Sequence, residues 1–159
     1  MDNTSAHTEG LKLLARRELS VENVRARLAD RGFPREDIEE AIARLLESGA
    51  LDDGRVARAY ARRALEVRGR GRLRVKRELL QMGIESDVVA EALGEVFGEV
   101  DERGLIAEAL QKKLRGRTKL ASPQEYARLY QYLMRQGFSP AGVTAALRRF
   151  RGGAGLDQD

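Results

Sequence analysis

Hydrophobic positions in this chain follow a pattern that returns three times. The phrase Leu-x-x-x-Gly followed by Phe or Ile stands at Leu28, Gly32 and Phe33, at Leu79, Gly83 and Ile84, and at Leu133, Gly137 and Phe138. Beyond each glycine the apolar residues keep one spacing. They are Ile38, Ala41, Ile42 and Leu45, then Val89, Ala92, Leu93 and Val96, then Val143, Ala146, Leu147 and Phe150. Gly32 to Gly83 is 51 residues and Gly83 to Gly137 is 54. Self-similarity at such a period marks one supersecondary unit copied along the chain. Arrays of this kind present extended surfaces rather than closed pockets, which points to binding rather than catalysis.

Each copy predicts three helices. The first helices lie near Glu9–Glu18, Asp53–Arg68 and Asp101–Leu114, the middle ones near Val21–Arg31, Leu73–Met82 and Pro123–Gln136, and the third near Pro34–Ser48, Ser86–Phe97 and Pro140–Phe150. Val56, Tyr60, Ala64 and Val67 recur at helical spacing and predict one buried stripe. The repeated glycine fits the residue just past a helix end, where a left-handed backbone strains any residue with a Cβ. Ser122-Pro123-Gln124-Glu125 offers a capping serine, a proline at the first helical position and a capping-box glutamate. No segment alternates with strand-like period. The expected fold is all-α, with three tandem three-helix repeats (residues 9–50, 51–98 and 99–151) in an elongated, curved array. The ends, 1–8 and 152–159, read as disordered tails. A unit of this size buries little by itself, so neighbouring repeats must support one another.

Composition removes several function classes. The chain has no Cys, no Trp and one His, His7, so disulfides, thiolate metal sites and a Cys-His nucleophile are excluded. No catalytic residue, metal site or cofactor is expected. No apolar run reaches the roughly 20 residues that span a bilayer, and the N-terminal residues carry no secretory apolar stretch. A cytoplasmic protein without a membrane partner is the expectation.

Charge changes the picture more. Between Gly54 and Glu78 ten basic residues face two acidic ones, for +8. Arg55, Arg58, Arg62 and Arg63 lie on the predicted first helix, Arg68, Arg70 and Arg72 around Gly69 and Gly71, and Arg74, Lys76 and Arg77 on the next helix. Between Gly83 and Gly104 seven acids stand against Arg103, for −6. Segregation of this size steers a protein toward polyanions or toward partners of opposite charge. Arginine suits that role because its planar fork meets phosphate or carboxylate bidentately. The competing reading is a solvated face whose arginines pair with the acidic third helix.

Other candidates read as structure. Asp52-Asp53 resembles a paired carboxylate, yet it opens a helix, where aspartate caps backbone N–H groups and favours the dipole. Gly69-x-Gly71 follows a helix rather than a strand and lacks a third glycine, so it is not a dinucleotide loop. Tyr126, Tyr130 and Tyr132 could stack bases, but a pair at helical spacing more often packs against a neighbouring helix. Phe33, Phe138 and Phe150 hold repeated apolar positions and read as core.

Together these residues resemble the RecX family, bacterial regulators of the RecA recombinase. The likeness rests on Leu51-Asp52-Asp53-x-x-x-Ala57, Arg62-Arg63, the Gly-Arg turn, and Arg77-Glu78-Leu79-x-x-x-Gly83-Ile84. Leu14-x-x-Arg17-x-x-Ser20 and Gly137-Phe138-Ser139 add to it, so that it covers roughly Leu11 to Phe150. The chain departs from the pattern at Val56, where an aromatic is common, and at Gly54, where a polar residue is common. The resemblance implies a non-enzymatic monomer in the groove of a RecA–single-stranded-DNA filament. There it would suppress ATPase, strand exchange and filament growth, and so modulate recombination, repair and the SOS response. The arginine cluster would contact DNA phosphates, acidic RecA surface, or both. Leu51, Asp52, Asp53, Ala57, Gly32, Gly83 and Gly137 would be the motif's structural residues. The alternative is a helical-repeat DNA-binding protein or transcriptional regulator acting alone. Against it, the third helices carry Glu36, Asp37, Glu39, Glu40, Asp87 and Glu91, which are poorly placed in a major groove.

Overall fold

Serine and aspartate side chains cap the starts of several helices, at Ser5, Ser20, Asp101 and Ser122. The structure, a computed structural model, describes residues 4–152. Among them are nine α-helices and no strand: α1 (Ala6–Arg16), α2 (Val21–Asp30), α3 (Arg35–Glu47), α4 (Asp53–Glu66), α5 (Arg72–Gln81), α6 (Ser86–Phe97), α7 (Glu102–Leu114), α8 (Pro123–Gln136) and α9 (Pro140–Gly152). The chain is all-α, built of tandem helical repeats.

The repeated phrase builds the same turn three times. Gly32, Gly83 and Gly137 have φ of 88°, 80° and 101°. After each, the Phe or Ile N–H bonds back to the leucine carbonyl five residues earlier: Phe33 to Leu28 at 3.3 Å, Ile84 to Leu79 at 3.4 Å, Phe138 to Leu133 at 3.4 Å. This is a Schellman closure, which satisfies carbonyls that the helix end leaves open. It also returns the next apolar residue to the helix just ended.

Packing divides the chain into two compact units. One holds residues to Ala61 together with Glu78–Glu95, the other Arg62–Arg77 together with residues from Val96 onward. The second repeat's helices therefore contribute to both. The first unit's core gathers Leu13, Leu19, Val24, Leu28, Ile38, Ala41, Ile42, Leu45 and Leu51 from α1–α3 and the turn before α4. The second unit's core gathers Ile106, Leu110, Leu114, Leu129, Leu133, Phe138, Val143 and Leu147 from α7–α9. Burial at this density is the main favourable term for both.

Four expectations need correction. Residues 6–8 are not tail but the first turn of α1, because the Ser5 side chain accepts the Thr8 N–H at 3.1 Å and caps the helix. Val67 is not part of the buried stripe. The helix ends at Glu66, and Val67 stands 70% exposed. Val96 is only partly buried, and its neighbour Phe97 enters the interior instead. The last helix runs on through Gly152, which the tail was expected to contain. Of the expected tails, residues 1–3 and 153–159 lie outside the described residues.

Candidate functional site

The basic run is divided by what its residues touch. At its start, in the first unit, Arg55 is engaged within the chain. Its Nε lies 3.1 Å from Glu18 Oε1, and its guanidinium donates to the Gly49 carbonyl at 2.9 Å and the Ala50 carbonyl at 3.1 Å. Those carbonyls belong to the turn after α3, so Arg55 ties α4 to the end of the first repeat. Arg58 reaches Glu95 on the acidic α6 at 3.7 Å. For these two, pairing within the chain is what the structure records.

Asp52 and Asp53 act as caps, though on different helices. Asp52 Oδ1 accepts the Arg55 N–H at 3.1 Å. Asp53 Oδ1 instead accepts the Val21 N–H, the first of α2, at 2.9 Å. Burial pushes the Asp53 carboxyl above the ordinary aspartate range, and the nearby charges of Asp52, Glu22 and Glu85 add to the shift, while the Val21 N–H opposes it. Leu51 and Ala57 are buried beside them. Among the described residues no group of three or more His, Cys, Asp or Glu side chains could hold a metal ion.

The second unit carries the other end of the run. After α4, Gly69 takes φ 60°, and the Arg70 N–H closes on the Ala64 carbonyl at 3.0 Å. The chain then docks backbone to backbone on the third repeat's glycine turn. The Gly71 N–H donates to the Gln136 carbonyl at 2.8 Å, and the Leu73 N–H to the Gly137 carbonyl at 3.1 Å. A Cβ on Gly71 would stand 2.5 Å from the carbonyl carbon and oxygen of Gly137, so only glycine permits this approach. Arg74 lies along the same turn, its guanidinium 3.3 Å from the Arg135 carbonyl.

Docking of that backbone leaves the side chains outward. Arg62, Arg63, Arg68, Arg72, Lys76 and Arg77 are exposed, and none forms an ion pair with a described residue. Arg70 and Arg74 are half-buried and have partners within the chain. Two large apolar side chains, Val67 and Leu73, sit among the free cations and are 70% and 50% exposed. Sequence reasoning misses this pair, since a helical stripe assigns Val67 to the interior. The signal lies in Gly69, which ends α4 early enough to strand Val67 outside. The combination suits a surface that is polyanionic or acidic and also offers apolar area.

The tyrosines of α8 behave as packing residues. Tyr126, Tyr130 and Tyr132 lie against the second unit's core. Lys113 Nζ sits 4.3 Å over the Tyr132 ring, and Gln136 Nε2 donates to its hydroxyl at 2.9 Å. Phe138 is fully buried, while Phe33 and Phe150 are partly so. No helix among the described residues is long and apolar enough to cross a membrane.

Comparison with known proteins gives one consistent answer. Family models for the first, second and third three-helix domains of RecX match residues 6–45, 52–93 and 101–147. The regulatory protein RecX of Halorhodospira halophila is 36% identical over 136 residues, covering 86% of this chain and 82% of that one. The regulatory protein RecX of Vibrio parahaemolyticus is 32% identical over 143 residues, covering 90% of each. The crystal structure of RecX from Lactobacillus salivarius shares the fold, with a TM-score of 0.75 at 19% identity over 92% of this chain and 94% of that one.

Proposed function

The chain belongs to the RecX family, and from that premise we propose that it is a non-enzymatic inhibitor of the RecA recombinase. In this reading it binds the groove of a RecA–single-stranded-DNA filament and suppresses ATPase, strand exchange and filament growth. The observation that carries the reading is the open half of the basic run. Arg62, Arg63, Arg68, Arg72, Lys76 and Arg77 offer six cations with no ion pair to a described residue, on one glycine-pinned turn and the helix segments beside it. Phosphates along a single strand attract such a row at long range, and each neutralised phosphate releases counterions. Val67 and Leu73 add the apolar area that bare nucleic-acid backbone does not need and a protein surface does. That mixture favours the assembled filament over either component alone.

The test is the single-stranded-DNA-dependent ATPase of the cognate recombinase, with this protein titrated in. A steep fall at ratios well below one per recombinase indicates blocked extension or active disassembly. A fall near equal amounts indicates occupancy along the groove. Unchanged ATPase together with tight binding to bare DNA contradicts the reading and makes the chain a DNA-binding protein acting alone.

A further inference from the structure

The repeats are joined by a contact that the chain builds twice and leaves open at both ends. In each instance the residue capping a middle helix donates a hydrogen bond to the carbonyl just before the glycine of the next repeat. Ser20, the N-cap of α2, donates from Oγ to the Met82 carbonyl at 2.8 Å. Gly71, immediately before α5, donates from its backbone N–H to the Gln136 carbonyl at 2.8 Å. Both glycine turns are closely covered by the incoming helix. A Cβ on Gly83 would lie 2.5 Å from Glu22 Cγ, and one on Gly137 would lie 2.5 Å from the Arg74 nitrogen.

The first and third repeats each lack one half of this joint. Gly32 has the same left-handed backbone as Gly83 and Gly137, yet no atom of the described residues lies within 4 Å of the Cβ position. Phe33, the counterpart of Ile84 and Phe138, is only partly buried, whereas those two are 3% and 0% exposed. Gly71 shows what the missing cover does, since its Cβ position is 2.8 Å from the Phe138 ring. At the other end, Ser122 caps α8 as Ser20 caps α2, accepting the Glu125 N–H at 3.1 Å. Its hydroxyl proton has no acceptor among the described residues, where that of Ser20 has the Met82 carbonyl.

We propose that the start of α8 in one copy docks on the Gly32 turn of a second copy, with Ser122 Oγ donating to the Arg31 carbonyl. The joint repeats the two internal ones, so copies add head to tail. Such an interface is heterologous: copies add one after another, into a ring where the rotation closes and into an open row where it does not. One helix turn on one glycine turn is small for a protein interface, so the association is weak in free solution.

The test needs neither recombinase nor DNA, so its failure is separate from any failure of the proposed function. Sedimentation velocity is run on the unmodified chain over a rising concentration series. The expected result is a mean sedimentation coefficient that climbs with concentration. Ser122→Asp is expected to abolish the rise while folding normally, because aspartate still caps the helix but cannot donate to a carbonyl. The chain has no cysteine, so Arg31→Cys and Gln124→Cys variants can be mixed under oxidation. Mixed disulfide dimers well above the amount expected from random pairing support the joint. The proposal is overturned by a concentration-independent monomer up to the solubility limit, by a rise that Ser122→Asp leaves unchanged, or by statistical pairing of the two cysteines.

Discussion

The two ends of one arginine-rich run differ in what they do, although their composition is nearly the same. Arg55 lies where α4 follows the first repeat, and three acceptors of the chain take up its guanidinium. Arg62 to Arg77 lie where the chain docks through its backbone, and most of their side chains stay outward with no ion pair to a described residue. The difference comes from the docking mode. Where backbone N–H groups and glycines hold the chain in place, the side chains remain available. Where a side chain does so, that cation is used. Counting arginines does not separate the two cases, and the acceptors do.

The largest expected effect comes from reversing charge on the open end. Changing Arg68, Arg72, Lys76 and Arg77 together to glutamate should weaken filament binding by about 100-fold or more, with little change in thermal stability. The salt dependence of binding should flatten by about 0.7 in the log–log slope for each phosphate that is no longer neutralised. Binding isotherms at several salt concentrations, beside a melting curve, check both halves.

Next in size is the glycine that holds this turn in place. Gly71→Ala puts a Cβ 2.5 Å from the Gly137 backbone, which cannot yield as a side-chain tip can. Overpacking of this kind costs about 1–3 kcal/mol, read as a lowered midpoint in urea. A midpoint like that of the unmodified chain would show that the turn is not seated as described.

At the engaged end the order of effects inverts. Arg55→Ala should cost about 1 kcal/mol of stability, through the removal of hydrogen bonds to two carbonyls and of a partly exposed ion pair, and change binding little. Arg58→Ala, whose Glu95 partner is 3.7 Å away at a half-exposed position, should change stability by less than about 0.5 kcal/mol. If Arg55→Ala weakens binding as much as the reversal of the open end, the two ends are not distinct.

The smallest effect is pH-dependent. Burial raises the Asp53 carboxyl above its unfolded value, so the folded state holds that proton more tightly than the unfolded chain does. Its contribution to stability is fully present below the unfolded aspartate range and is lost as pH rises through the raised folded value. Asp53→Asn keeps an acceptor for the Val21 N–H and removes that loss. It should therefore be more stable than the unmodified chain above the window, with the gain fading at acid pH. Denaturant midpoints across pH 3–7 check the crossover (about the span set by aspartate's ordinary range).

Much of this was legible in the amino-acid order. The Leu-x-x-x-Gly-Phe/Ile phrase located three glycine turns, and the serine caps and prolines located α8 and α9 nearly to the residue. Local chemistry decides those features, so local sequence reports them. What stayed hidden depends on partners distant along the chain. Nothing near Asp53 announces that it caps α2, 32 positions away. Nothing in the arginine run separates Arg55, held by Glu18 and two carbonyls, from Arg72, which no acid among the described residues meets. The free and engaged cations share one residue type and one spacing, and only packing divides them.

The most direct test compares two variants in one assay. Recombinase filaments on single-stranded DNA are titrated with the fourfold charge reversal of Arg68, Arg72, Lys76 and Arg77, and separately with Arg55→Ala, and the ATPase is followed. The reversed chain is expected to fold but no longer to inhibit, while Arg55→Ala is expected to inhibit like the unmodified chain. Full inhibition by a folded, charge-reversed chain would contradict the assignment of the open end as the binding surface.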